Sequence, residues 1–113
     1  MNHDERVCGL RASLAHGLGA GRAQALLQVL ENELLVPAGL YLDGGLLHAD
    51  SASAYSPEIA GIVTRADGRD LAERDRARVE AWLAAQPLVA EFSVGPCMPA
   101  SSPEAAVWRS DGA

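Results

Sequence analysis

The sequence predicts one small α+β domain, a three-stranded and mainly antiparallel sheet with helices packed on one face, in the order α-α-β-β-α-α-β. Three observations lead there. The chain has 113 residues, of which 49% are hydrophobic, which is enough for one core and too little for two. Apolar residues recur at helical spacing over 20–34 and 69–86. Between and after those stretches stand β-forming segments, one of them built around the turn residues Asp43-Gly44-Gly45.

Each element has its own reason. Residues 4–16 read as a short helix, with Asp4 as cap and Val7, Leu10 and Leu14 at helical spacing. A second helix spans about 20–34, where Ala23, Leu26, Leu27, Leu30 and Leu34 form one stripe and Gln24, Gln28, Glu31 and Asn32 the opposite side. Pro37 stops it. Residues 38–49 read as a hairpin turning at Asp43-Gly44-Gly45, with Leu40, Leu42 and Leu47 on the core face and Tyr41, Leu46 and His48 on a half-polar second face. Ser56-Pro57-Glu58 has helix-start chemistry, so residues 57–66 are read as a helix, with a strand as the competing assignment because Ile59, Ile62, Val63 and Thr64 favour sheets.

The best-marked helix after that is 69–86, with Leu71, Val79, Trp82 and Leu83 inward and ion pairs available between Asp70 and Arg74, Glu73 and Arg76, and Asp75 and Arg78. Pro87 ends it, and 88–95 alternates as a strand. Gly95-Pro96-Cys97-Met98-Pro99 cannot continue as a regular central strand. Ser102-Pro103-Glu104 opens a last turn or two of helix. Residues 1–3 and 110–113 are expected to fray.

Composition limits the function. The net charge is −6 and every one of the nine bases is arginine. Arginine without lysine, beside much Ala and Gly, points to a GC-rich and bacterial source. The acidic balance disfavours nonspecific nucleic-acid binding and anionic membranes. No run approaches the ~20 apolar residues of a membrane span, and the first residues lack the apolar block of a signal peptide. The chain is therefore expected to be cytoplasmic, with Cys8 and Cys97 reduced. From Ala23 to Thr64 there are acids (Glu31, Glu33, Asp43, Asp50, Glu58) and no arginine, an acidic region expected to be ordinary solvated surface, with a face that steers a basic partner as the competing reading.

Gly17-Leu18-Gly19-Ala20-Gly21-Arg22-Ala23, followed by Ala25-Leu26-Leu27, resembles the helix-hairpin-helix motif of DNA-repair and replication proteins. The resemblance covers a short part of the chain and occurs once, with His16 at the position that is proline-like in the motif. It implies that Gly17, Gly19 and Gly21 bring backbone N–H groups to a nucleic-acid phosphate and that Arg22 neutralises it. A dinucleotide loop at the same place would need a preceding strand and a βαβ unit, neither of which is expected.

His48, Asp50, Ser51 and Ser53 form a set that a small hydrolase could use, although no GxSxG elbow accompanies them. The three His and two Cys are scattered without metal-ligand spacing. No cofactor, metal or catalytic set is assigned. The leading expectation is a small interaction or regulatory module that binds a protein partner or forms a homodimer, with Tyr41, Leu46 and His48 as contact residues. Nucleic-acid binding through residues 17–22 and catalysis by His48 are the alternatives.

Overall fold

The computed structural model describes residues 5–15, 17–51 and 54–109, and the side chains of residues 20, 47–51, 54–56 and 109 lie outside that description. The element order is β1 (Arg6–Leu14), α1 (Ala20–Val29) continued by a π-helical turn (Leu30–Leu35), β2 (Leu40–Ser51), β3 (Ala54–Arg65), α2 (Glu73–Ala84), β4 (Val89–Val94), β5 (Met98–Pro99) and α3 (Pro103–Arg109). The strands form one sheet in the order β2-β3-β1-β4, with β5 beside the start of β1. Every pairing is antiparallel. Through β4 this connectivity is the split βαβ topology of ferredoxin-like sheets, an architecture that carries many unrelated activities.

The chain is thus α+β with an antiparallel sheet and helices, but among the described residues there are five strands instead of three and the first element is a strand. Residues 6–14 are the central strand, not a helix. Val7, Leu10 and Leu14 fit helical spacing, yet Cys8, Leu10, Ala12 and Leu14 fit period two equally well. Tertiary context breaks the tie. Val7, Cys8, Gly9 and Leu10 are all buried, as befits a strand covered on both faces.

Residues 57–66 are likewise not a helix, since 57–65 fall in β3, the competing strand assignment, and 66 begins the turn after it. Pro57 is tolerated there because Glu58 is the last β3 residue paired with β1, so the missing N–H falls where the sheet ends.

Asp43-Gly44-Gly45 does not turn the chain. It lies inside β2, whose ladder with β3 runs from Leu40↔Arg65 to Ser51↔Ala54. Gly44 faces Gly61, with φ of 156° and 154°. A Cβ on Gly61 would stand 2.5 Å from the Asp43 carbonyl oxygen and 2.8 Å from Gly44 Cα. The glycine pair lets two backbones approach where side chains would hold them apart.

The second helix stands where the apolar stripe puts it. Ala23, Leu26, Leu27 and Leu30 of that stripe are buried, while Leu34 is only half-buried and Leu35, outside the stripe, is buried in its place. The wider last turn is marked by Val36 N–H donating to Glu31 O at 2.8 Å. α2 begins later than its sequence pattern, because residues 69–72 serve the strand beside them. Arg6 N–H donates to Asp70 Oδ1 at 2.9 Å, and Leu71 N–H donates to Arg6 O at 2.9 Å. The buried Asp75 carboxylate then accepts from Ala72 N–H at 3.0 Å and lies 3.7 Å from Arg65 Nη1.

Arg76 joins α2 to β4, donating to Gly95 O at 2.7 Å and Val94 O at 2.9 Å while pairing with Glu73 at 3.1 Å. Ser102 caps α3, its hydroxyl accepting from Ala105 N–H at 3.2 Å.

The main core lies between α1, α2 and one face of the sheet, around Leu10, Leu30, Ile59, Val63, Val79 and Leu83. α3 packs on the opposite face, where Val7, Ile62, Met98 and Ala105 form a second, smaller core. The helices therefore occupy both faces and not one.

Candidate functional site

The face opposite α1 and α2 follows from the register. It carries Gly9, Arg11 and Ser13 of β1, Glu58, Ala60 and Ile62 of β3, and Tyr41 and Asp43 of β2. Glu91 and Ser93 of β4 complete it. α3 covers only one end of that face.

What fixes α3 there is Trp108, whose indole lies on the backbone of Gly9 and Gly95. A Cβ on Gly9 would fall inside the indole, and one on Gly95 would stand 2.8 Å from Trp108 Cζ2. The two glycines are bonded neighbours, with Gly95 N–H donating to Gly9 O at 2.9 Å. A flat aromatic ring thus occupies a slot floored by two residues without side chains.

Beyond the indole the sheet is open. One hollow of about 210 Å³ is lined by Arg11, Ser93, Val107 and Trp108. A second of about 200 Å³ is lined by Arg11, Ser13, Glu91, Phe92 and Ser93. They share Arg11 and Ser93. The Arg11 guanidinium forms an ion pair with Glu58, Nε to Oε1 at 3.0 Å, without the geometry of a hydrogen bond. Val107 on α3 is 63% exposed and Tyr41 49%, whereas Phe92, 37% exposed, stands opposite Ala12 and belongs to the other face at the sheet's edge. The surface joins apolar rims, two serines and one oriented guanidinium. Both hollows are shallow, and such a mixture fits contact with another chain better than enclosure of a small substrate.

Tyr41 lies on this open face, opposite Thr64. Leu46 does not, since it stands opposite Ile59 and packs against the main core. The structure therefore separates two residues that the sequence places together, because the chain reverses beyond Ser51 and not at 43–45. His48 stands opposite Pro57 in the ladder. Its side chain, with those of Asp50 and Ser51, and the whole of Ser53 lie outside the described residues.

The glycine turn follows the strand β1 and not a helix, so the first helix of the helix-hairpin-helix resemblance is missing among the described residues, and the preceding strand that was not expected is there. Gly17 itself has φ of 80°, which favours glycine. Gly19 is the N-cap of α1 and offers no side-chain bond, and the first turn holds no acid. A Cβ at Gly17, Gly19 or Gly21 would meet nothing within 4 Å. Arg22 is exposed beside them.

The thiols are held in their protonated form. Cys8 is buried, and desolvation raises its pKa to about 12, with Cys97, Glu73 and Asp75 adding to the effect and Arg76 opposing it. The Cys97 thiol is also raised, first by burial and then by Glu73. It lies 3.7 Å from Leu71 O and 3.9 Å from Glu73 Oε2. Neither cysteine resembles an activated nucleophile. Among the described residues no group of three His, Cys, Asp or Glu side chains is arranged to hold a metal, and no described helix is long and apolar enough to cross a membrane.

Sequence reasoning missed the Trp108 slot and Arg11. The available signal was an alternation, Val7-Gly9-Arg11-Ser13 against Cys8-Leu10-Ala12-Leu14, which puts a glycine and an arginine on one side of a strand. Comparison with protein-family models, with curated proteins and with solved structures returns no match.

Proposed function

We propose that this chain is a cytoplasmic, non-enzymatic interaction module whose contact surface is the sheet face left open beside α3. The observation that supports it is the hollow around Arg11, where the exposed Val107 and half-buried Trp108 border Ser93 and a guanidinium oriented by Glu58. Aromatic and arginine side chains are the commonest anchors of protein interfaces, and an arginine fixed by a carboxylate loses less freedom on binding. The test is a photo-crosslinking residue placed at Val107, with Arg78 on the exposed side of α2 as control. A discrete adduct from Val107 and none from Arg78 is the expected result. Equal labelling at the two positions, or none at either, removes the reading.

A second reading, binding of nucleic-acid phosphates by Gly17, Gly19, Gly21 and Arg22, draws support from the open space around the glycines. The packing of the chain itself does not require glycine at 19 or 21. This reading expects salt-dependent DNA retention that Arg22→Ala abolishes. No retention at low salt ends it.

A further inference from the structure

The two long edges of the sheet are protected unequally. β2 carries Asp43, Gly44 and Gly45 along its middle. On the opposite side the edge is formed first by β4 and then by β5, which pair with successive parts of β1. Pro96 and Pro99 blunt the β5 half. The β4 half, Val89–Val94, has no Pro and no base, and Glu91 is its one charge. An edge strand of that composition is a template for pairing.

The backbone polarity of β4 is fixed by its bonds. Gly95 N–H donates to Gly9 O, so residues 95, 93 and 91 turn their backbone groups toward β1 and residues 94 and 92 turn theirs outward. Arg76 Nη2 reaching Val94 O at 2.9 Å independently places that carbonyl on the outer side.

We propose that β4 pairs antiparallel with β4 of a second copy of this chain, on a twofold axis at Phe92, so that two sheets become one. The inference rests on the reading of the chain as an interaction module and names one partner for it. Charge selects the register. Centring on Glu91 would set two carboxylates face to face, which is unfavourable. Centring on Phe92 sets Phe92 against its own copy and Ser93 against the partner's Glu91.

Arg11 already stands opposite Ser93 within the chain. Arg11, Ser93 and the partner's Glu91 then form a row on one face, crossing two inter-strand spacings of roughly 5 Å each. The serine in the middle is small, so the guanidinium and carboxylate can meet over it. Symmetry makes the pair twice. Ser13 pairs with Glu91, but Leu14 pairs with Val89; the bulge this leaves at Ala90, and the Arg76 guanidinium already on Val94 O, limit the shared ladder to Phe92 and its immediate neighbours. A small interface of this kind gives a weak dimer.

Sedimentation equilibrium from about 1 to about 300 µM, the range of weak interfaces, is expected to show a monomer–dimer equilibrium. Phe92→Lys should weaken it at least tenfold and Glu91→Lys several-fold, with the thermal midpoint of the monomer unchanged. In a Cys97→Ser background, Phe92→Cys should form a disulfide-linked dimer when glutathione disulfide accepts the electrons and takes up the thiol protons. Paired residues on a twofold axis lie about 5.5 Å apart, within disulfide range. Ala90→Cys should not cross-link. A monomer throughout the range, a dimer indifferent to Phe92→Lys, or equal cross-linking at 90 and 92 overturns the proposal. A monomer that still gives the Val107 adduct would end this inference and leave the interaction module standing.

Discussion

Gly9→Ala tests whether Trp108 is seated as described. The new methyl would occupy the position of the indole ring, and Gly9 lies in a central strand paired on both sides, so the ring must leave its slot. A tryptophan side chain presents ~200 Å², and about half of that is withdrawn from water in a half-buried residue. At ~25 cal/mol per Å² the loss is about 2.5 kcal/mol. Replacing glycine by alanine returns roughly 0.5–1 kcal/mol through the unfolded chain. The net cost is about 1.5–2 kcal/mol, or a fall of roughly 1 M in the urea midpoint. The decisive comparison is a double-mutant cycle with Trp108→Ala. In the Trp108→Ala background, Gly9→Ala should be neutral or slightly stabilising, because nothing remains to displace. An equal loss in both backgrounds would show that the methyl meets something other than the indole, and the account of the slot would fail.

Gly61→Ala should destabilise by at least about 2 kcal/mol by urea unfolding, because its Cβ would meet backbone atoms of Asp43 and Gly44, which cannot rotate away; Gly45→Ala, with open space around it, should change stability by less than about 1 kcal/mol. Arg76→Ala leaves two carbonyls of the β4 end without their donors and should cost about 1–3 kcal/mol, whereas Arg78→Ala on the exposed side should cost under about 0.5 kcal/mol. Cys8 should resist an aromatic disulfide reagent at neutral pH in the folded protein and react at once in denaturant. The raised Cys8 pKa also fixes an alkaline trend. The unfolded thiol ionises near 9.0 and the folded one near 12, so stability should be full below pH 9 and fall as pH rises between those values, less so in Cys8→Ala. Asp67 gives the acid counterpart. The Arg65 guanidinium and the Arg69 N–H hold its carboxyl far below the usual range, so its contribution is present above the ordinary carboxylate pKa and fades as pH falls, and Asp67→Asn should flatten that part of the acid unfolding curve.

The helices were legible because their signals are redundant. Between 20 and 35 the apolar stripe, the polar opposite side and Pro37 all agree, and at 102–105 the Ser-Pro-Glu triplet becomes a cap whose hydroxyl meets Ala105 N–H. The strands were less so, for two separate physical reasons. β1 is buried on both faces over Val7–Leu10, and a doubly covered strand loses the polar alternation that marks sheets. Its remaining apolar residues then satisfy helical spacing by coincidence. β3 begins with Ser56-Pro57-Glu58, which is helix-start chemistry locally, and only the neighbouring strands make it extended. Local propensity is weak enough for such context to override it.

The candidate surface was hidden by parity. In a strand every residue faces opposite to its neighbours, so the place where the chain reverses decides which side chains meet. Asp43-Gly44-Gly45 has the composition of a turn, and taken as one it gathers Tyr41 with Leu46. The same glycines instead serve a close approach, Gly44 to Gly61, which needs a partner seventeen residues away in the chain and leaves no trace in a local window. Once the reversal moves beyond Ser51, Leu46 belongs to the core and Tyr41 to the open face. Arg11 follows the same logic from the other direction. Within a helix 4–16 it would be one more solvated charge; within β1 it is placed beside Ser93, across from Ala60 and against Glu58. An arginine at the centre of a sheet face that α3 covers only at one end, one strand from the β4 edge, is a feature that exists only after the strands are in order, and it is the feature on which both the proposed interaction surface and the proposed register of the β4 edge depend.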